Sequence, residues 1–291
     1  MAAKKKQAEA HIEHADHTHE PIVRKEDGTV ELTFAVPWAE IAASREKTAL
    51  EMGKSVTVPG FRAGKAPLDR LMSHLPADQL LERALSSILP VHLAKAITEH
   101  DVRPAVYPRF ELLHAHEGEE WTVLATTCEI PEFKLGNYKK DVAEALKALP
   151  TEATVDEKQN AALIAFGKTI EVKVPHMLVE EEANGRLSNL LTRIEKLGMS
   201  LENFLASQKK TAPELRAEYE GQAENTLKME LSLMKLAADE KIVVSEQDVA
   251  DFIAVAQLPE QKNEADRDSQ LSMVQSILTK RKAIEFLASQ A

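Results

Sequence analysis

Three times after Phe133 a hydroxyl residue stands three positions ahead of an acid, just before an apolar run of helical spacing: Thr154 with Glu157, Thr211 with Glu214, and Ser245 with Asp248. In that arrangement the hydroxyl accepts from the amide of the third helical residue and the acid reaches back to the cap amide, so two orphaned donors are satisfied. Pro175 adds a fourth start, and the apolar face Val179, Ala183, Leu187, Leu190, Leu191, Ile194 and Leu197 continues to Gly198, a helix stop. Further helical faces read Leu215, Tyr219, Ala223, Leu227, Leu231, Met234 and Ala238, then Leu271, Val274, Ile277, Leu278, Ile284 and Leu287. Apart from a short strand-like run from Thr169 to Val174, residues 154–291 therefore predict an all-α C-terminal domain of long amphipathic helices.

Before Phe133 the periodicity is mixed. Val30, Leu32, Phe34 and Val36 alternate with Glu31, Thr33 and Ala35, which predicts a half-buried strand. Pro37 opens a helix ending near Gly53, and Pro67 opens a second helical region that resumes after Pro76 and should kink or break at Pro90. Two alternating segments follow, Val106 to Leu112 and Trp121 to Ile130, joined by a polar turn at Glu117 and Gly118. A strand, two long helices and antiparallel strands make an α+β N-terminal domain over 27–133, with 134–153 as a linker and 1–26 as a polar His-rich tail. Trp38 and Trp121 are expected as core anchors. His11, His14, His17 and His19 have spacings that suit a transition metal on a helix, but the tail's composition cannot form a core. It is read as a solvated lead, and no metal site or cofactor is assigned.

The chain carries 36 Lys+Arg against 47 Asp+Glu, a net charge of -11, and both halves are acidic, which argues against general nucleic-acid affinity and against a DNA partner. No uncharged apolar run approaches the roughly 18 residues of a membrane span, and the N-terminus lacks a secretory apolar segment, so a cytoplasmic protein is expected. Cys128 is the single cysteine and excludes an internal disulfide; a buried strand position is expected for it. The lone histidines His74, His92, His100, His114, His116 and His176 read as surface or turn residues. No nucleophile, base and orienting acid fall at catalytic spacing.

One window departs from the acidic background. Between Met52 and His74, Lys54, Arg62, Lys65 and Arg70 face only Asp69, and within it lies Val58-Pro59-Gly60-Phe61-Arg62-Ala63-Gly64-Lys65-Ala66-Pro67. Two prolines restrict the loop while two glycines open backbone conformations closed to other residues, so a fixed tip is expected. Phe61, Arg62 and Lys65 there suit RNA phosphates or a partner carboxylate. A nucleotide-phosphate loop does not fit, because Gly60 and Gly64 are too closely spaced and Ala66 follows Lys65.

Gly60-Phe61-Arg62-x-Gly64-Lys65-x-Pro67 resembles the ribosome-docking motif of the trigger factor family, bacterial chaperones of nascent chains. Lys173 to Glu182, Leu197 to Leu205 and the helix through Leu227 to Leu236 resemble the family's helical substrate-binding domain, so the resemblance covers nearly all of 28–290. It implies docking by Gly60, Phe61, Arg62, Gly64, Lys65 and Pro67 on exit-tunnel protein and rRNA, and weak apolar shielding of nascent or unfolded polypeptides. Met177, Leu178, Met199, Phe204, Met229, Met234 and Phe252 are candidate client contacts. The family usually carries an FKBP-like prolyl isomerase domain between its two other parts; residues 134–153 are too few for one, so a short form without isomerase activity, and no enzyme, is expected. The competing reading is a ribosome-independent holdase or assembly chaperone, a soluble interaction module acting as a monomer or a homodimer.

Overall fold

The computed structural model describes residues 20–62, 64–259 and 263–290. The tail histidines His11, His14, His17 and His19 lie outside the described residues. The chain divides into two compact units: 20–24, 30–103 and 108–127 form the first, and 25–29, 104–107 and the chain from 128 onward form the second.

The first unit is α+β. Strand β1 (Ile22–Arg24), β2 (Thr29–Val36), β3 (Arg109–His114) and β4 (Trp121–Cys128) form one sheet in the order β1-β2-β4-β3. β1 pairs antiparallel with β2, Ile22 opposite Leu32, and β3 with β4, Phe110 opposite Ala125. Residues 1–26, expected as a tail, thus include the edge strand β1. Three residues are too short to show a periodicity, and pairing with β2 is what fixes them. The alternation of β2 turns Val30, Leu32 and Val36 into the core, where Val123, Ala125 and Trp121 of β4 meet them. The Trp121 indole N–H donates to the His116 carbonyl at 2.9 Å, and Cys128 is fully buried as expected.

Helices α1 (Trp38–Gly53), α2 (Leu68–His74) and α3 (Ala77–Glu99) follow Pro37, Pro67 and Pro76, whose extended conformations and missing amides suit helix entry. At Pro90, where a kink or a break is expected, α3 is not broken but runs through it. The proline leaves the Ser86 carbonyl without its helical donor, but Ser86 is exposed, so water can serve that group. Leu89 and Leu93, on either side of Pro90, are both buried among β2 and β4 residues and hold the two halves of the helix in place. Between α1 and α3 the buried Ser44 hydroxyl bonds to the Ala84 carbonyl at 3.0 Å and to Ser87 at 2.9 Å.

The second unit is helical: α4 (Tyr138–Lys147), α5 (Val155–Lys168), α6 (His176–Lys196), α7 (Leu201–Gln208), α8 (Ala212–Asp239), α9 (Glu246–Val255) and α10 (Glu264–Ala288). All three capping boxes form, with both reciprocal bonds present at Thr154/Glu157, Thr211/Glu214 and Ser245/Asp248. Residues 134–153, expected as a linker, instead hold α4, whose Tyr138, Val142 and Leu146 are buried with Phe166 of α5, Leu236 of α8 and Leu287 of α10. Tyr138 stands edge-on to Phe166 at 5.6 Å, and its hydroxyl donates to Glu240 at 2.6 Å while Lys139 pairs with the same carboxylate at 2.7 Å. The Thr169–Val174 run forms no strand. Val172 is buried, Ile170 packs on the helical core, and Val174 joins Val179, Ala183 and Ala223 between α6 and α8. The expected face of α6 is buried only in part: Val179, Ala183 and Ile194 are covered, whereas Leu187 and Leu190 are half-buried and Leu191 and Leu197 exposed.

Two outcomes follow from this packing. Leu146→Ala should lower unfolding stability by about 3 kcal/mol in urea denaturation, because it empties a buried site; a linker residue would tolerate the change within about 0.5 kcal/mol. The second concerns Asp248, whose carboxyl is held down at about 2 by the Lys282 ammonium at 2.6 Å and by the Ser245 amide and hydroxyl at 2.8 Å. A depressed carboxyl stabilises the fold above its ordinary value and loses that contribution as pH falls toward its folded value. The stability gap between the unmodified protein and Asp248→Asn should therefore narrow as pH falls from about 4 to about 2, and a constant gap would contradict the linkage.

Candidate functional site

The loop between α1 and α2 stands on a small core of its own. Ala49 and Met52 of α1, Val58 in the loop, Leu71 of α2, and Leu75 and Leu80 are buried together, with Val56, Ala66, Leu68 and Met72 packed around them. Val58 therefore anchors the outgoing leg and Ala66 the returning one. Between these anchors two tight turns close, the Phe61 amide donating to the Val58 carbonyl at 3.0 Å and the Lys65 amide to the Arg62 carbonyl at 2.9 Å. Gly60 (φ +85°) and Gly64 (φ +74°) occupy the left-handed region, where a side chain would be strained. Pro67, at φ -61° and ψ 152°, delivers the chain into α2.

This scaffold presents Phe61, Arg62 and Lys65 to solvent. The sequence holds 8 phenylalanines, and Phe61 alone among them is exposed, at 38%. Among the described residues no carboxylate is paired with Lys54, Arg62, Lys65 or Arg70. Exposed, unpaired cations beside an aromatic face can engage phosphates or carboxylates without first breaking an internal ion pair. All six residues expected from the sequence, Gly60, Phe61, Arg62, Gly64, Lys65 and Pro67, thus lie on one exposed loop, the glycines and Pro67 shaping it and the other three forming its surface.

A second feature lies on the helical unit. Leu187, Leu190 and Leu191 of α6, Leu201 of α7, and Pro213 and Leu215 of α8 line an open, almost wholly apolar groove of about 400 Å³ whose one charged neighbour is Arg216, paired with Glu220 at 2.8 Å. Leu187, Leu190 and Leu191 fall on the apolar face expected of α6, whereas Leu201 and Pro213 are not among the residues expected at a site. Of the seven candidate client contacts, Met177 is buried and Met229 packs on the helical core, while Met199 and Met234 are exposed and Leu178, Phe204 and Phe252 half-buried.

Among the described residues the histidines form no metal-holding cluster of three or more with Cys, Asp or Glu. His92 bonds to Glu40 at 2.8 Å and stacks on Phe34, and His114 bonds to Glu119 at 2.8 Å beside His116. Burial pushes the Cys128 thiol above its ordinary value, which disfavours the reactive thiolate. Among the described residues no group of three or more His, Cys, Asp or Glu is placed to hold a metal ion, and no helix is long and apolar enough to cross a membrane.

Comparison with known proteins agrees with both units. Residues 21–162 match the family described as bacterial trigger factor protein, and residues 134–289 match the bacterial trigger factor protein C-terminus. Among curated proteins, the trigger factor of Lysinibacillus sphaericus is 33% identical over 165 residues, covering 54% of this chain and 37% of that protein. That of Limosilactobacillus reuteri is 30% identical over 126 residues, covering 43% of this chain and 29% of that protein. That of Staphylococcus aureus is 29% identical over 167 residues, covering 57% and 37% respectively. The matched regions thus span about a third of the curated relatives' length. A solved structure described under promiscuous substrate recognition in folding and assembly activities of the trigger factor chaperone superposes with a TM-score of 0.60 at 12% identity, covering 91% of this chain and 98% of that one, a likeness of fold. With the C-terminal family matched across more than half of its residues, and an α+β unit joined through α4 directly to the helical unit, the chain belongs to the trigger factor family.

Proposed function

We propose that this chain is a cytoplasmic trigger-factor-type chaperone that docks on the ribosome near the exit tunnel through Phe61, Arg62 and Lys65, and shields emerging polypeptides by weak apolar contacts. The observation that carries the reading is the exposed Phe61 with two unpaired cations on a loop whose turns and glycine conformations fix its shape. A preformed tip loses little freedom on binding, so a few contacts suffice for specific attachment. The net charge of -11 opposes approach to rRNA, so the contact is modest in affinity and sensitive to salt.

Client holding is supported by the groove of α6, α7 and α8 and by exposed Leu197, Met199 and Met234. Scattered aliphatic and methionine contacts bind weakly and re-pack around different chains, which suits unfolded clients. The same groove supports the second reading, a holdase working away from ribosomes as a monomer or homodimer. That function needs the groove and not the Phe61 loop.

Isomerase activity is not part of the proposal. What supports its omission is that residues 129–154 between β4 and α5 hold α4 and its flanks, and α4 packs in the helical core.

Replacing Phe61, Arg62 and Lys65 together with Ala should weaken co-sedimentation with ribosomes about tenfold or more, while the unfolding free energy from urea denaturation stays within about 0.5 kcal/mol because all three side chains are exposed. Unchanged sedimentation, with aggregation still suppressed without ribosomes, would transfer the assignment to the holdase reading. In a refolding assay limited by proline isomerisation, the protein at catalytic amounts should leave the slow phase unchanged; an accelerated phase would show an isomerase activity that this reading denies.

A further inference from the structure

The loop's bearing depends on a residue outside the motif. Gly53 closes α1 and is buried, with an ordinary helical backbone, so conformational freedom is not the reason for a glycine there. Space is. A Cβ at position 53 would fall 2.7 Å from both δ-methyls of Leu71 and 3.2 Å from its Cγ. Turning the Leu71 methyls away would still leave the 3.2 Å contact with its Cγ, and they have little room to turn, because Leu71 is buried at 3% exposure among Ala49, Met52, Val58, Leu75 and Leu80. The accessible response is for α2 to move off the end of α1.

That movement would reach the loop from both sides. Val58, at the loop's outgoing base, belongs to the same small core as Leu71, and Leu71 lies one turn beyond Pro67, where the returning leg enters α2. The returning leg also leans on the end of α1: the position of a Cβ at Gly64 lies 3.7 Å from the Cα of Lys54, the residue that follows Gly53.

We infer that Gly53 is a positioning residue for the docking loop, its missing side chain seating Leu71 so that α1 and α2 hold Phe61, Arg62 and Lys65 in their binding arrangement. This rests on the ribosome-docking reading above.

The test uses the full-length protein, ribosome co-sedimentation at fixed salt, and urea denaturation. Gly53→Ala, a change that helix propensity alone would favour, should weaken ribosome binding about tenfold, the scale of one lost anchor. Adding Leu71→Ala should restore binding to within about threefold of the unmodified protein, a coupling of the size that touching residues show. Rescue separates a steric role from a merely structural one, because trimming Leu71 removes buried surface and would deepen any loss caused by instability. Unchanged binding by Gly53→Ala, or a loss that Leu71→Ala does not reverse, overturns the inference. If Gly53→Ala fails to fold, the double variant carries the test alone, and its failure to fold or to bind within the same limit overturns the inference equally. The Phe61/Arg62/Lys65 triple variant, run beside these, reports on the docking reading itself: if it binds normally that reading falls, whereas if it fails to bind and Gly53→Ala binds normally only the role of Gly53 is lost.

Discussion

Phe166 is fully buried at the point where α4, α5, α8 and α10 converge, and the helical unit depends on that burial. Tyr138, Val142 and Leu146 come to it from α4, Leu233, Leu236 and Ala237 from α8, and Ala283 and Leu287 from α10. A ring of this size contributes much of what holds such helices, since burial of apolar area dominates their stability and helix propensity alone is marginal. Seating α4 here has an architectural consequence. The stretch that follows the sheet is folded into the helical core by its own apolar face, and the bond from Tyr138 to Glu240, at the C-terminal cap of α8, fixes its rotation. The tyrosine hydroxyl is pushed well above its ordinary value by burial and by that carboxylate, so it stays a neutral donor across the physiological range.

The charges divide along similar lines. On the helical unit, cations are repeatedly matched with acids one turn away: Arg186 with Glu182, Arg216 with Glu220, Lys228 with Glu224, Lys235 with Asp239 and Arg281 with Glu285. Each pair adds little to stability, but each also occupies a cation that would otherwise attract anions. The loop cations Arg62 and Lys65 have no such partners among the described residues. An acidic chain can therefore offer a local positive tip, and its self-matched helices discourage nonspecific attachment to nucleic acid.

What was legible in the sequence was what short-range chemistry decides. The three capping boxes are closed by atoms three residues apart, so sequence and structure agree at Thr154, Thr211 and Ser245. The alternation of β2 and β4 and the helix starts at Pro37, Pro67 and Pro175 were equally readable. The loop residues were readable because Gly60, Gly64 and Pro67 impose backbone conformations of their own. The misses were settled by partners far along the chain. Ile22–Arg24 is a strand only because Val30–Leu32 pairs with it, and α3 survives Pro90 because Leu89 and Leu93 are gripped by the sheet. Likewise α4 became core through Phe166, and Thr169–Val174 lost its strand character to burial among helices. The groove was not legible for the same reason, as whether an apolar face is covered depends on what α7 and α8 place over it.

The low aromatic content, 4% of the chain, bears on the loop in a way that neither charge nor motif does. Most of the chain's rings lie where burial gains most: Trp121, Phe166 and Tyr138 are in cores and the phenylalanines other than Phe61 are at least half covered, whereas Tyr107, which carries a polar hydroxyl, is 71% exposed. Leaving Phe61 in water runs against that use, and no packing partner in its own core compensates, because the small cluster beneath the loop is closed by Val58, Leu71 and Leu75 without it. Its ring contributes to the fold only in so far as the turn from Val58 holds it outward. On the docking reading proposed above, this aromatic and the two cations that lack acidic partners among the described residues would be covered together by a surface of phosphates or carboxylates, the glycine-permitted turns holding them in place beforehand. The same core that leaves the ring outside sets its direction, so the geometry at the α1–α2 junction and the chemistry at the tip form one device.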